Sequence, residues 1–255
     1  MDWDRTKPVT SDFEDMLASL GAISFDLEGD TEKRPDYAVF DDRLLIEIKT
    51  LSVSVAERSK NPADQLQQEI LKQPNKTLFF GLADAEAIIR AHNDPRRARA
   101  TLLRAAAKSA LDHMGKAAVQ FRAVITRQPY RYARSTTMMV LINEGFKEYS
   151  PEVMVDQLNR EVIRSRARKS PRYGLLDVVL YISMYHLDER DTRQVFNLPA
   201  IVFAMRPEDQ RRALGYAQSV ARHWSDHVGL IYGGKGRDPR GLRTIPSREW
   251  RPNKP

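Results

Sequence analysis

From Arg43 to Thr50 the side chains alternate with a period of two. Arg43, Leu45, Glu47 and Lys49 fall on one face of a strand, and Leu44, Ile46 and Ile48 on the other. Residues 37–40 have the β-branched and aromatic content of a partner strand, and Asp41-Asp42 supplies the turn between them. The pattern predicts a hairpin. In simple register, Asp36 at the start of the first strand lies near Glu47 and Lys49 at the end of the second.

Helical spacing appears on either side. Residues 11–21 predict a short helix with Ser11 as N-cap, an apolar stripe of Phe13, Met16, Leu17 and Leu20, and Gly21 as its stop. Residues 23–28 predict a further strand, with Asp26, Glu28 and Asp30 solvated. Beyond the hairpin, residues 52–93 read as a helical insertion. One helix begins near Pro62 and breaks at Pro74-Asn75, residues 77–81 form a brief apolar strand or packing loop, and residues 83–91 are helical. Asp94-Pro95 then opens a long helix to about Val124, whose apolar face (Leu102, Leu103, Ala106, Ala110, Met114, Ala117, Ala118 and Phe121) is suited to lying on a sheet. Residues 136–143 form a near-continuous apolar run, the mark of a strand buried on both faces, and Asn143 and Glu144 end it on the side of the candidate site, with a loop role favoured over a site role. Ser150-Pro151 starts another helix. Residues 175–183 and 200–205 predict two more strands, and Pro207 opens a last helix to about Val228. The fold class expected is α/β: a mixed central sheet flanked by helices, in one domain over residues 1–232 with a mobile basic tail over 233–255.

Composition bounds the chemistry. The 255 residues are 42% apolar, enough for a sizeable core, and contain no cysteine. Disulfides, thiolate zinc sites and cysteine nucleophiles are thereby excluded. The acidic start and the lack of an apolar run of about 18 residues lead us to expect a cytoplasmic protein without a membrane partner. Net charge is +7. Its distribution says more: residues 1–50 hold 13 Asp/Glu against 6 Lys/Arg, a balance of −7, so the remainder carries +14. A basic remainder suits a polyanion such as nucleic acid.

Two carboxylates and a lysine on neighbouring strand ends point to a divalent-metal site that activates water. Hard cations such as Mg²⁺ take oxygen ligands, commonly one or two carboxylates plus water and phosphate oxygens, and a lysine beside them offsets charge on the phosphate. Pro35-Asp36, ten intervening residues and then Glu47-Ile48-Lys49 resembles the signature of the PD-(D/E)XK nuclease superfamily. The resemblance implies a restriction-endonuclease-like fold and a nuclease dependent on Mg²⁺ or Mn²⁺. Asp36 and Glu47 would be metal ligands and Lys49 the catalytic lysine. It also nominates Glu14 on the first helix as a further ligand, although Ser11-x-x-Glu14 reads equally as a capping box. Lys116-Ala-Ala-Val-Gln120 is similar to a Lys/Ala/Gln pattern on the superfamily's following helix, which makes Lys116 and Gln120 candidates for nucleic-acid binding beside their reading as a solvated face.

The run Arg160, Arg164, Arg166, Arg168, Lys169 and Arg172 has the density of a phosphate-backbone contact and equally of a basic surface loop. Tyr173 next to it either stacks on a base or packs. Asp177, inside an apolar run, must face a polar partner or water. The five histidines form no zinc spacing, His223 and His227 included. The function expected is metal-dependent phosphodiester hydrolysis of nucleic acid, with DNA favoured over RNA. The rivals are a non-catalytic nucleic-acid- or partner-binding protein on the same fold and an RNA-cleaving toxin or effector. A homodimer and a monomer are both compatible with these residues.

Overall fold

The computed structural model describes residues 8–25, 34–51, 55–72, 85–143, 154, 157–158, 160–161, 173–183, 200–204, 210–231 and 244–245. Helix α1 (Val9–Ser19) leads through the short strand β1 (Ile23–Ser24) into the hairpin β2 (Tyr37–Val39) and β3 (Leu44–Thr50). Three helices follow: α2 (Val55–Leu71), α3 (Ala85–Ala91) and α4 (Pro95–Arg127). The small helix α5 (Pro129–Tyr132) precedes β4 (Thr136–Asn143), and then come β5 (Val178–Ser183), β6 (Ala200–Ala204), α6 (Gln210–Ile231) and β7 (Thr244–Ile245).

The seven strands form one sheet in chain order. Strand β2 pairs antiparallel with β1 on one side and with β3 on the other, β4 lies parallel to β3 and β5 parallel to β4, β6 returns antiparallel, and β7 lies parallel to β6. The expected α/β class with a mixed sheet is therefore what the chain adopts.

Alternation decides where the core sits. Ile46, Ile48, Met138, Val140, Leu180 and Ile182 pack on one face against α1 and α6, including Phe13 and Trp224 with ring centroids 5.3 Å apart. Leu45, Met139, Leu141, Val179 and Tyr181 pack on the other, beneath Ala110, Met114, Ala117, Phe121 and Val124 of α4. Spacings of 4, 3, 4 and 3 keep that α4 stripe on one face.

The long helix differs from expectation in one respect. Its C-terminal half covers the sheet, but Ala98 and Leu102 belong to a separate core with Leu66 and Ile70 of α2 and Ile88 and Ile89 of α3. A 33-residue helix is about 50 Å long, whereas the seven residues of β3 span about 23 Å. Helix α4 feeds β4, which is parallel to β3, so α4 runs antiparallel to both and its N-terminal half overhangs their C-terminal ends. The overhang and α2 with α3 make a helical arm, which gives the expected insertion a core of its own.

Other differences have local causes. Helix α1 begins at Val9, not after Ser11, and its N-cap Pro8 makes no side-chain cap bond. The capping box is therefore not formed. Val9 is fully buried, and burying a valine is worth about 1.5–3 kcal/mol, more than the roughly 1 kcal/mol of a cap. Helix α2 starts at Val55 and carries Pro62 in its interior, not at its start. Asn143 closes β4 as a fully buried strand residue, not a loop residue. Tyr173 is buried in the core, the packing reading of that residue. Asp177 finds its polar partner in Thr137, whose N–H donates to Oδ2 at 2.9 Å. Met154, Gln157, Leu158, Arg160 and Glu161 are helical. The expectations for residues 26–30, 77–81, 144, 150–151, 207 and 233–255 lie outside the described residues. Among the described residues no helix is long and apolar enough to cross a membrane.

Candidate active site

The hairpin brings Asp36, Glu47 and Lys49 together as its register requires. Tyr37 pairs with Ile46 and Ala38 with Leu45, and the Asp36 N–H donates to the Ile46 carbonyl at 3.0 Å. Asp36 thus stands opposite Glu47. Its Oδ2 accepts the Ile48 N–H at 2.6 Å, which ties the carboxylate to the strand bearing the other two residues. Glu47 and Lys49 share the α4 side of the sheet with Leu45.

Glu47 is fully buried, while the Lys49 side chain is partly exposed. Lys49 Nζ makes an ion-pair contact with Glu47 Oε1. Oε2 is buried and receives no hydrogen bond. Burial, reinforced by the neighbouring Asp36 carboxylate, pushes the Glu47 carboxyl up to about 7 from 4.5, and Lys49 and the Gln120 amide only partly pull it back. A buried carboxylate facing another, with one oxygen unsatisfied, is a site that gains from a second cation.

Helix α4 forms the roof. Gln120 donates from Nε2 to the Arg34 carbonyl at 2.8 Å, joining the helix to the segment just ahead of Pro35-Asp36. Lys116 lies one turn earlier on the same flank and is exposed. That turn is nearer the C-terminal end of β3, the edge overhung by the helical arm. Gln120 thus lies near the Glu47 carboxyl, with Lys116 one turn along the same helix.

Glu14 is different. It is half-buried on α1, on the opposite side of the sheet from α4, and no group of three or more His, Asp or Glu residues that could hold a metal occurs among the described residues. The direct-ligand role for Glu14 thus finds no three-carboxylate cluster to join. Arg164, Arg166, Arg168, Lys169 and Arg172 lie outside the described residues.

One polar pair near this edge joins Asn143, read from sequence as a loop residue, to Ser183, which the sequence did not single out. Asn143 Nδ2 donates to Ser183 Oγ at 3.2 Å, and both residues are fully buried at the C-terminal ends of β4 and β5. Alternation places Asn143 on the face of Met139 and Leu141, that of Glu47 and Lys49. The available signal was a polar residue ending a run of buried ones.

The residues present fit a hard divalent cation of the Mg²⁺ or Mn²⁺ type, held by Asp36 and Glu47 with further sites left to water and substrate oxygens. Comparison of the chain with protein-family models, with curated proteins and with solved structures finds no match.

Proposed function

We propose that this chain is a metal-dependent nuclease of restriction-endonuclease-like architecture, hydrolysing phosphodiester bonds of nucleic acid, with DNA favoured over RNA by its resemblance to the PD-(D/E)XK superfamily. The observation that carries the reading is the meeting of Asp36, Glu47 and Lys49 on one hairpin, with a Glu47 oxygen buried and without a hydrogen bond. The order α1, β1, β2, β3, α4, β4, with α2 and α3 ahead of α4 and the short α5 ahead of β4, also agrees with the resemblance.

In this reading Asp36 and Glu47 hold Mg²⁺ or Mn²⁺. Bound there, such an ion supplies Lewis-acid polarisation of a phosphoryl oxygen and makes water a nucleophile at neutral pH. Asp36 is oriented for its role by the Ile48 N–H. Lys49, held by Glu47 in the absence of substrate, turns its ammonium toward the phosphate and offsets the charge that develops there. Gln120 keeps the segment before Asp36 against α4, and Lys116 on the same flank contacts the phosphate backbone.

The test is cleavage of circular DNA, linear DNA and RNA by the purified chain with Mg²⁺, with Mn²⁺ and with EDTA, beside Asp36→Ala and Lys49→Ala. Cleavage should require the metal and fall by roughly 100-fold or more in each variant, the scale of a lost catalytic group. Wild-type protein that binds nucleic acid but cuts none of the three would replace the nuclease by a non-catalytic binding module.

A further inference from the structure

A second surface lies at the other end of β3. Tyr130, on α5, has a relative exposure of 105%, whereas the next most exposed large apolar side chain among the described residues, Ile23, reaches 56%. Arg127, Arg131 and Arg134 flank it in sequence and are exposed, and the bonds of Arg131 to Asp42 and of the Thr136 N–H to the Arg43 carbonyl bring the hairpin turn with exposed Arg43 to the same edge. With Asp41 and Asp42 the only acidic residues of these two segments, the edge is net basic. Arg43 and Arg134 make no ion pair among the described residues.

The edge is also held in shape. Phe40, Asp41 and Asp42 have φ of 55°, 53° and 62°, a left-handed run that non-glycine residues adopt only when their surroundings enforce it. Here the Arg131 guanidinium donates from Nε to Asp42 Oδ2 at 2.6 Å, the Ser135 hydroxyl donates to the Asp42 carbonyl, and the Thr136 N–H donates to the Arg43 carbonyl at 2.8 Å. Phe40 stacks on Tyr216 at 5.7 Å. On the α5 side, Tyr132 is buried in the core with Arg131 over its ring at 5.1 Å, and Pro129 occupies the first turn. Arg131 and Tyr132 are thus committed to the scaffold, while Tyr130, Arg43 and Arg134 are exposed.

We propose that this edge binds single-stranded nucleic acid, with Tyr130 as the stacking surface for an unpaired base and Arg43 and Arg134 as phosphate contacts. An exposed ring among guanidinium groups on a fixed support has the two components of single-strand recognition, a π-face and a positive track. A paired base offers no free face to such a ring, so stacking selects single strands over duplex. Arg43 is four residues from Glu47, about 13 Å along β3, so this edge is separate from the carboxylate pair and does not depend on hydrolysis there.

The experiment is fluorescence anisotropy of the full chain in EDTA, using labelled oligothymidine and oligouridine single strands and a labelled DNA duplex. Tyr130→Ala should weaken single-strand binding roughly tenfold, Tyr130→Phe should retain it, and duplex binding should change little. Arg134→Ala should weaken binding and make the salt slope shallower by about 0.7. Thermal melting of Tyr130→Ala should match wild type, because the side chain packs against nothing. Wild-type affinity in Tyr130→Ala, equal losses on single strand and duplex, or no single-strand binding by wild type would each overturn the proposal. Repeating the titration with Asp36→Ala separates the readings: a failure to cleave leaves this binding intact, and loss of binding through Tyr130→Ala leaves metal-dependent chemistry at Glu47 to be judged by itself.

Discussion

Glu47 links the local electrostatics of the site to the stability of the chain. Its carboxyl keeps a proton to about pH 7 in the folded protein, against an ordinary value of 4.5. Below pH 4.5 it is protonated in both states and burial costs nothing extra. Between the two values the unfolded chain gives up the proton while the folded chain retains it, so stability falls as pH rises and levels off above about pH 7. The full loss is about 3 kcal/mol. Glu47→Gln should therefore match wild type in urea unfolding at pH 4 and exceed it by up to about 3 kcal/mol at pH 8. A variant less stable than wild type at pH 8 would mean that Lys49 already compensates the buried charge. The same carboxyl predicts proton release on metal binding. At pH 7 about half a proton should leave per ion bound, read by calorimetry in buffers of different ionisation enthalpy, and little should leave at pH 8.5.

At the level of elements, the legible features were those whose cause lies within a few residues. The hairpin followed from alternation and a turn, and so did the meeting of Asp36 with Glu47. Asp94 accepts the Arg97 N–H at 2.9 Å, with Pro95 in the first turn, as the start signal of α4 announced. Gly21 ends α1 with φ 71°, and the Gly21 and Ala22 N–H groups donate to the Ala18 and Leu17 carbonyls at 3.0 and 3.1 Å. Those paired bonds satisfy the last turn in a way that favours glycine. No atom lies within 4 Å of a Cβ built there, so Gly21→Ala isolates the backbone term. It should lower stability by about 1 kcal/mol in thermal or chemical unfolding, without loss of packing. Features set by distant partners were less legible. Val9 starts α1 early because Phe13 and Met16 bury alongside it, and the α4 stripe divides between two cores because the helix outruns the sheet. Gln120 meets Arg34 across 86 positions of sequence, and only the resemblance singled it out.

For the whole molecule, the two-sided sheet core and the helical arm are separate bodies of apolar contact joined by one helix, so they need not open together. The arm's junction is polar. Asp94 donates its N–H to His92 Nδ1 at 2.9 Å, which leaves the ring proton on Nε2 to donate to Glu69 Oε2 at 3.0 Å. Arg97 Nη2 reaches Glu69 Oε1 at 3.1 Å, so the junction ties α2, the end of α3 and the first turn of α4. Arg97 is exposed and its ion pair adds little, whereas His92 is buried and fills the space between the helices. His92→Ala should accordingly loosen the arm rather than the sheet. Amides of α2, α3 and the N-terminal half of α4 should exchange with solvent roughly tenfold faster or more, while those of β3, β4 and β5 keep their protection. A uniform increase across arm and sheet would instead make the two cores one cooperative unit. The arm overhangs the strand ends that carry Glu47 and Lys49, so its opening is the motion most able to change access to the carboxylate pair without disturbing the hairpin that builds it.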